Sequence, residues 1–219
     1  MKVIFSLVAL SIFSVTFSQD MKAVDSVSVE MCDYLKTIEI SNDTLKINAL
    51  YEDMLYPYLG TLEESKTQKV SQQIYYRLQR NCVEFRDLLD RLEPPKEAVT
   101  RITKKPKSTI SKKELETFKK RKDFYYFEVS GDTTHVIMED GSWTDLFVDE
   151  TVSKLTYEWI NDTEFKLVFI ESNNESRANF SVKGDQYVYK VLSKKANFYN
   201  LSVNIPGQKT YEMFKIYFK

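Results

Sequence analysis

Five acidic residues, Glu158, Asp162, Glu164, Glu171 and Asp185, crowd the stretch LTYEWINDTEFKLVFIESNNESRANFSVKGDQYVYKVL at residues 155–192. Two carboxyls facing each other across a cleft can hydrolyse a glycoside, one as acid and the other as base or nucleophile. Glu158 and Glu164 flank Asn161-Asp162, a hairpin turn signal, and read equally as solvent-facing strand residues, which is the reading preferred here. A second acidic group, Asp140, Asp145, Asp149 and Glu150 in DGSWTDLFVDE, lacks the spacing of an EF-hand loop. His135 is the only histidine and lies in the strand-like run TTHVIME, where a lone histidine is more often structural than catalytic. One histidine also excludes a His-Glu-x-x-His zinc motif. The nucleophile elbow, the phosphate loop and the dinucleotide fingerprint do not occur in the sequence. No catalytic residue, metal site or cofactor is therefore expected.

Cys32 and Cys82 are the only cysteines. Two cysteines without histidine company do not make a zinc site, and in an oxidising compartment they suggest one disulfide. The alternative is two buried free thiols. A bond between them would close a long loop and add roughly 4 kcal/mol through the unfolded chain. The start of the chain supports such a compartment. MKVIFSLVALSIFSVTFS has a positive Lys2, an apolar run from Val3 to Phe17 and small residues at Thr16 and Ser18, the order of a secretory signal peptide. The run is shorter than the roughly 20 residues of a membrane span. The mature protein is expected to be exported, periplasmic or extracellular, with no membrane span.

The 219 residues carry five Gly, five Pro and a net charge of −1, the composition of an ordered globular chain. The patterning divides it. Residues 19–93 read as a helical bundle. Val24, Val27, Met31, Tyr34 or Leu35, and Ile38 recur at helical spacing, Ser41-Asn42-Asp43 can cap a second helix, and Val70, Ile74, Leu78, Cys82, Phe85 and Leu89 form one stripe through a third. Residues 94–122 read as a basic linker and short helix. From Lys96 to Lys122 there are eleven Lys or Arg against three Glu, and Ser111 to Glu114 is a capping box. Export argues against nucleic acid as a partner of this segment, which leaves an anionic envelope polymer or a plain solvated face.

Residues 123–219 read as an antiparallel β-domain. Strands are expected at 124–130, 133–138, 143–148, 152–160, 164–171, 185–193, 197–205 and 211–218, and nineteen of the thirty aromatics fall within residues 124–219. Leu155, Tyr157 and Trp159 share the inward face of one strand. The fold class expected is α+β: a helical bundle, then a β-meander closing into a small lipocalin-like barrel. If the interior is hollow, Tyr157, Trp159, Phe169, Tyr187 and Tyr189 are the candidate ligand-lining residues; if it is filled, they are ordinary core.

YEWINDTEFKLVFIESNN followed by KGDQYVYKVL resembles exported proteins of flavobacteria and related Bacteroidetes whose activity is uncharacterised. The Ser-Gln at the end of the signal peptide and MCDYLK…RNCVEF share in the likeness. The resemblance implies a secreted β-domain and carries no catalytic residues across. It also implies that the five Asn-x-Ser/Thr sequons, at Asn42, Asn161, Asn174, Asn179 and Asn200, carry no glycans.

The leading expectation is a non-enzymatic binding protein holding a small apolar ligand. The second is an envelope interaction protein whose basic segment contacts anionic polymer, and the third, a carboxylate hydrolase, is the weakest. Amino-terminal sequencing of exported protein is expected to begin at or near Gln19; retention of Met1 would end the signal-peptide reading.

Overall fold

The computed structural model describes residues 13–94 and 100–219. The first twelve residues of the expected signal peptide lie outside the described residues, as do residues 95–99 of the basic segment. The chain divides into two compact units at Leu92/Glu93.

The first unit is helical. It comprises α1 (Phe13–Thr37), α2 (Asp43–Leu50), a π turn (Tyr51–Leu55), α3 (Tyr56–Leu59), α4 (Glu64–Asn81) and α5 (Val83–Leu92). Asn42 caps α2 by accepting from the Leu45 N–H, so the cap lies within the expected trio. Pro57 does not end the second helix. The π turn, in which Tyr56 donates to the Tyr51 carbonyl, absorbs the missing donor and the ring. The third helix is not continuous, as its stripe suggested. Cys82 is extended, at φ −120° and ψ 108°, and splits the segment into α4 and α5. Beyond the break the buried face continues through Phe85 and Leu88, with Leu89 half-buried against the same core. Cys32 on α1 and Cys82 at the break are disulfide-bonded, with Cα atoms 5.6 Å apart. Arg77 of α4 adds a two-pronged contact to Asp25 of α1, at 2.6 and 3.1 Å.

The second unit is an antiparallel barrel. β2 (Asp123–Phe127), β3 (Thr133–Glu139), β4 (Ser142–Leu146), β5 (Val152–Trp159), β6 (Glu164–Ser172), β7 (Gln186–Lys194), β8 (Phe198–Asn204) and β9 (Tyr211–Tyr217) each pair with the next. All eight expected strands are present. The meander closes where Tyr125 of β2 meets Tyr217 of β9, the one register pair those two strands share. At the other end of β9 a short β1 (Thr100–Ile102), which had no strand signal, pairs with residues 211–213. Residues 100–122 thus enter the second unit through β1 and α6 (Lys112–Lys120), the helix that begins at the expected capping box of Ser111 and Glu114. A six-residue helix, α7 (Glu175–Phe180), lies in the β6–β7 connection, within the polar run that separates those strands in the sequence.

The inward residues follow strand alternation. Trp143 pairs with Leu155, Leu155 with Phe169, Tyr157 with Leu167, and Trp159 with Phe165, so the inward face of β5 was identified correctly. α6 closes one end of the barrel. Its Phe118 is fully buried, and its ring meets those of Phe124 and Tyr199 at 5.0 Å and of Trp159 and Phe165 at 6.1 Å. Leu115, one turn earlier, is buried beside the same core. Truncating such a ring removes its transfer energy and leaves a void. Phe118→Ala is expected to lower the stability of the barrel by roughly 3–5 kcal/mol in urea denaturation. A loss near 0.5 kcal/mol, that of an ordinary surface change, would show the plug to be dispensable.

Candidate functional site

Beyond Phe165 the barrel is hollow. A cavity of about 450 Å³ lies toward the end opposite α6, within the range of small-molecule sites. Its floor is aromatic. Tyr189 stacks on Phe165 with ring centroids 5.2 Å apart, and Trp143 and Phe214 meet Tyr189 at 5.9 and 5.7 Å. Leu155, Leu167 and Val203 supply apolar wall. β9 contributes residues from both of its faces, Glu212 and Phe214 as well as Met213 and Lys215, and Thr100 of β1 joins them. The cavity therefore reaches the seam where β2 and β9 diverge.

A charged cluster borders this space. Glu128 lies just past β2, in a turn where its N–H donates to the Asp132 carbonyl and its own carbonyl accepts from Gly131. Gly131 takes φ +89°, a conformation that favours glycine. The Thr134 hydroxyl donates to the Glu128 carboxylate at 2.7 Å, and Arg177 Nη2 donates to the same oxygen at 2.5 Å. Arg177 comes from α7, whose start is pinned to the head of β5. Asn174 caps the helix and donates to Thr151, and Val152 and Asn173 exchange hydrogen bonds at 2.6 and 3.1 Å. The guanidinium also lies 5.4 Å from the centroid of the Phe147 ring. Asp145 is buried on β4 and accepts from Trp143 Nε1 at 2.8 Å. Arg101 of β1 donates to Glu212 at 2.9 Å.

Burial, the largest influence, pushes the Asp145 carboxyl up to about 6, and nearby Glu128 adds to the rise. Arg177, the Trp143 N–H and the Tyr126 hydroxyl oppose it. Burial, followed by the Asp145 charge, also holds the Tyr126 and Tyr189 phenols well above their usual range, so both remain protonated. Burial works against the charge of Arg177, but Tyr126, Glu128 and Asp145 outweigh it.

Of the five residues expected to line a pocket, Tyr189 is on the cavity wall. Tyr157 and Trp159 lie at the end plugged by α6, packed on Phe165 at 5.0 and 5.3 Å. Phe169 and Tyr187 are buried in the barrel core, with Tyr187 OH 2.5 Å from Ser181 Oγ. The five acidic residues singled out within 155–192 do not converge, and none lines the cavity. Glu158 pairs with Lys166 and Glu171 with Lys154 on the outside, while Asp185 accepts from the Val182 N–H. Glu164 is a correction. It is buried rather than solvent-facing, because Lys105 at 2.6 Å, Lys190 at 3.6 Å and the Asn161 amide enclose it.

Asp145, Glu128, Arg177 and Tyr126 were not singled out as lining residues from the sequence. One signal was available for Asp145: in SWTDL it shares the inward face with Trp143, a carboxylate where alternation demands an apolar residue. Comparison with known proteins finds no matching family model, no matching curated protein and no matching solved structure.

An aspartic acid ordinarily titrates near 3.9. Asp145 therefore binds its proton more tightly in the folded protein than in the unfolded chain. Stability contributed at this position is greatest at low pH, falls as pH rises from about 4 through 6, and is level above that. Asp145→Asn keeps an acceptor for Trp143 and removes the charge. In thermal denaturation it is expected to exceed wild type near pH 8 by an amount on the order of 2–3 kcal/mol, with the advantage gone near pH 4. A difference that did not change with pH would contradict a buried titrating Asp145.

Proposed function

We propose that this chain is an exported, non-enzymatic binding protein whose lipocalin-like barrel holds one small ligand in its interior. The observation that carries the reading is the asymmetric filling of the barrel: α6 and its Phe118 plug one end, and the other encloses a cavity of about 450 Å³. An eight-stranded barrel is the size at which side chains either just fill the interior or leave room for one ligand. The apolar wall supplies burial and the charged cluster supplies orientation.

Export is supported by the signature of residues 1–18 and by the Cys32–Cys82 bond. Among the described residues no helix is long and apolar enough to cross a membrane.

The reading as an envelope interaction protein draws on the basic segment. Five of its cations are engaged within the barrel unit. Arg101 pairs with Glu212, Lys105 with Glu164 and Lys122 with Glu139, while Lys119 lies over Trp159 and Arg121 over Phe218. Those contacts favour a structural use of the segment.

Trp143, at the cavity, is the natural reporter, and Trp159 is the only other tryptophan. In a Trp159→Phe background the neutral probe 1-naphthalenemethanol is expected to change the Trp143 emission saturably. Val203→Phe, which fills the cavity wall, is expected to weaken that binding about tenfold or more without unfolding the barrel. An unchanged Trp143 emission at millimolar probe, or equal affinity in Val203→Phe, would refute ligand binding in this cavity.

A further inference from the structure

We propose that the ligand of this cavity is an organic cation: an N–H-bearing ammonium group seated against Asp145, with an apolar or aromatic body lying on Trp143, Tyr189 and Phe214. The inference rests on the binding-site reading above and adds to it the chemical class of the ligand.

The charges that border the cavity carry the argument. Arg177 is matched by Glu128 at 2.5 Å and Arg101 by Glu212 at 2.9 Å. Lys215 contributes to the lining, but its Nζ lies 5.6 Å from the centroid of the Phe198 ring. Asp145 is the carboxylate left over. It is buried, the groups that hydrogen-bond to it are neutral, the Trp143 indole and the Tyr126 hydroxyl, and among the described residues no cation lies within ion-pair distance of it. Arg177 is close enough to influence it but is committed to Glu128.

A buried carboxylate without a partner cation is expensive and tends to become neutral instead. A bound ammonium supplies the missing charge and N–H donors for the lone pairs that the indole and the Tyr126 hydroxyl leave open. Around it, the faces of Trp143, Tyr126 and Tyr189 add cation–π attraction, strongest where water is excluded. An anionic ligand meets the opposite situation. It would bring a further negative charge beside Glu128, Asp145 and Glu212, and both arginines already hold carboxylates.

The titration of Asp145 makes the site proton-sensitive. The groups facing it are Glu128, Arg177, Trp143 and Tyr126, with Tyr189 and the Arg101–Glu212 pair across the cavity. Asp145 titrates near 6, so it is mostly ionised at neutral pH and ready for a cation. Below that value a proton competes with the ligand, and the cation's affinity falls about tenfold per pH unit.

Three probes of one shape test this on the purified protein by calorimetry: 1-naphthylmethylammonium, 1-naphthalenemethanol and 1-naphthoate. Near neutral pH the ammonium is expected to bind about tenfold or more tighter than the alcohol, with naphthoate weakest. Asp145→Asn is expected to remove that advantage, so that the ammonium binds no tighter than the alcohol. Alcohol or naphthoate binding as tightly as the ammonium overturns the cation proposal and leaves the binding cavity standing. Failure of all three to bind overturns both. Should Asp145→Asn fail to fold, the wild-type pH profile decides: between about pH 7 and pH 5 the ammonium should lose about tenfold in affinity while the alcohol stays level, and an ammonium affinity that does not change refutes the role of Asp145.

Discussion

The interior of an eight-stranded barrel has to be filled, and Phe118 fills one end of it. Without that ring the inward faces of Phe124, Trp159, Phe165 and Tyr199 would enclose a void, and voids are among the costliest defects a core can carry. The capping box at Ser111 starts α6 in the place where Phe118 can enter. Lys119 over Trp159 and Arg121 over Phe218 hold the same rim from outside. The basic segment is thus explained largely by what it closes, its charged heads staying toward water while the apolar face of the helix is buried.

Successive layers run from that plug to the cavity. Phe118 packs on Phe165, Phe165 stacks on Tyr189, and Tyr189 with Trp143 floors the open space. Past this floor the interior changes from aromatic to charged. Asp145 destabilises the fold at neutral pH because a carboxylate there is removed from water without a matching cation. Binding sites commonly carry such local costs, since a group that is poorly satisfied in the free protein is the one that gains most from a ligand. The disposition of β2 and β9 belongs to the same picture. They share one register pair, and β1 occupies the edge of β9 nearer the cavity, so the barrel is least tightly paired on the side where the cavity reaches its wall.

The helical unit is organised by different means. Its core of Leu50, Ile74, Leu78, Phe85 and neighbours surrounds the Cys32–Cys82 bond, and the Arg77–Asp25 pair ties α1 to α4. The break at Cys82 matters here because it lets α5 turn its own apolar side, Phe85 and Leu88, into that core.

The sequence by itself determined the features that depend on near neighbours. Period-two alternation placed all eight barrel strands and the inward side of β5, the Ser111–Glu114 box placed α6, and the cysteines were readable as a pair. These signals lie within a few residues of one another or follow from composition. The site depended on distance in the chain. Arg177 sits on a six-residue helix in a polar run with no periodic signal, and it meets a carboxylate 49 residues away. Glu164 reads as a surface strand residue until Lys105, from another segment, reaches it. β1 is three residues long and is a strand only because the edge of β9 is open to it. Only the tertiary structure decided which end of the barrel is filled. Alternation states which side chains point inward but not what meets them there, and that is set by the closure of β9 on β2 and by where α6 and α7 enter.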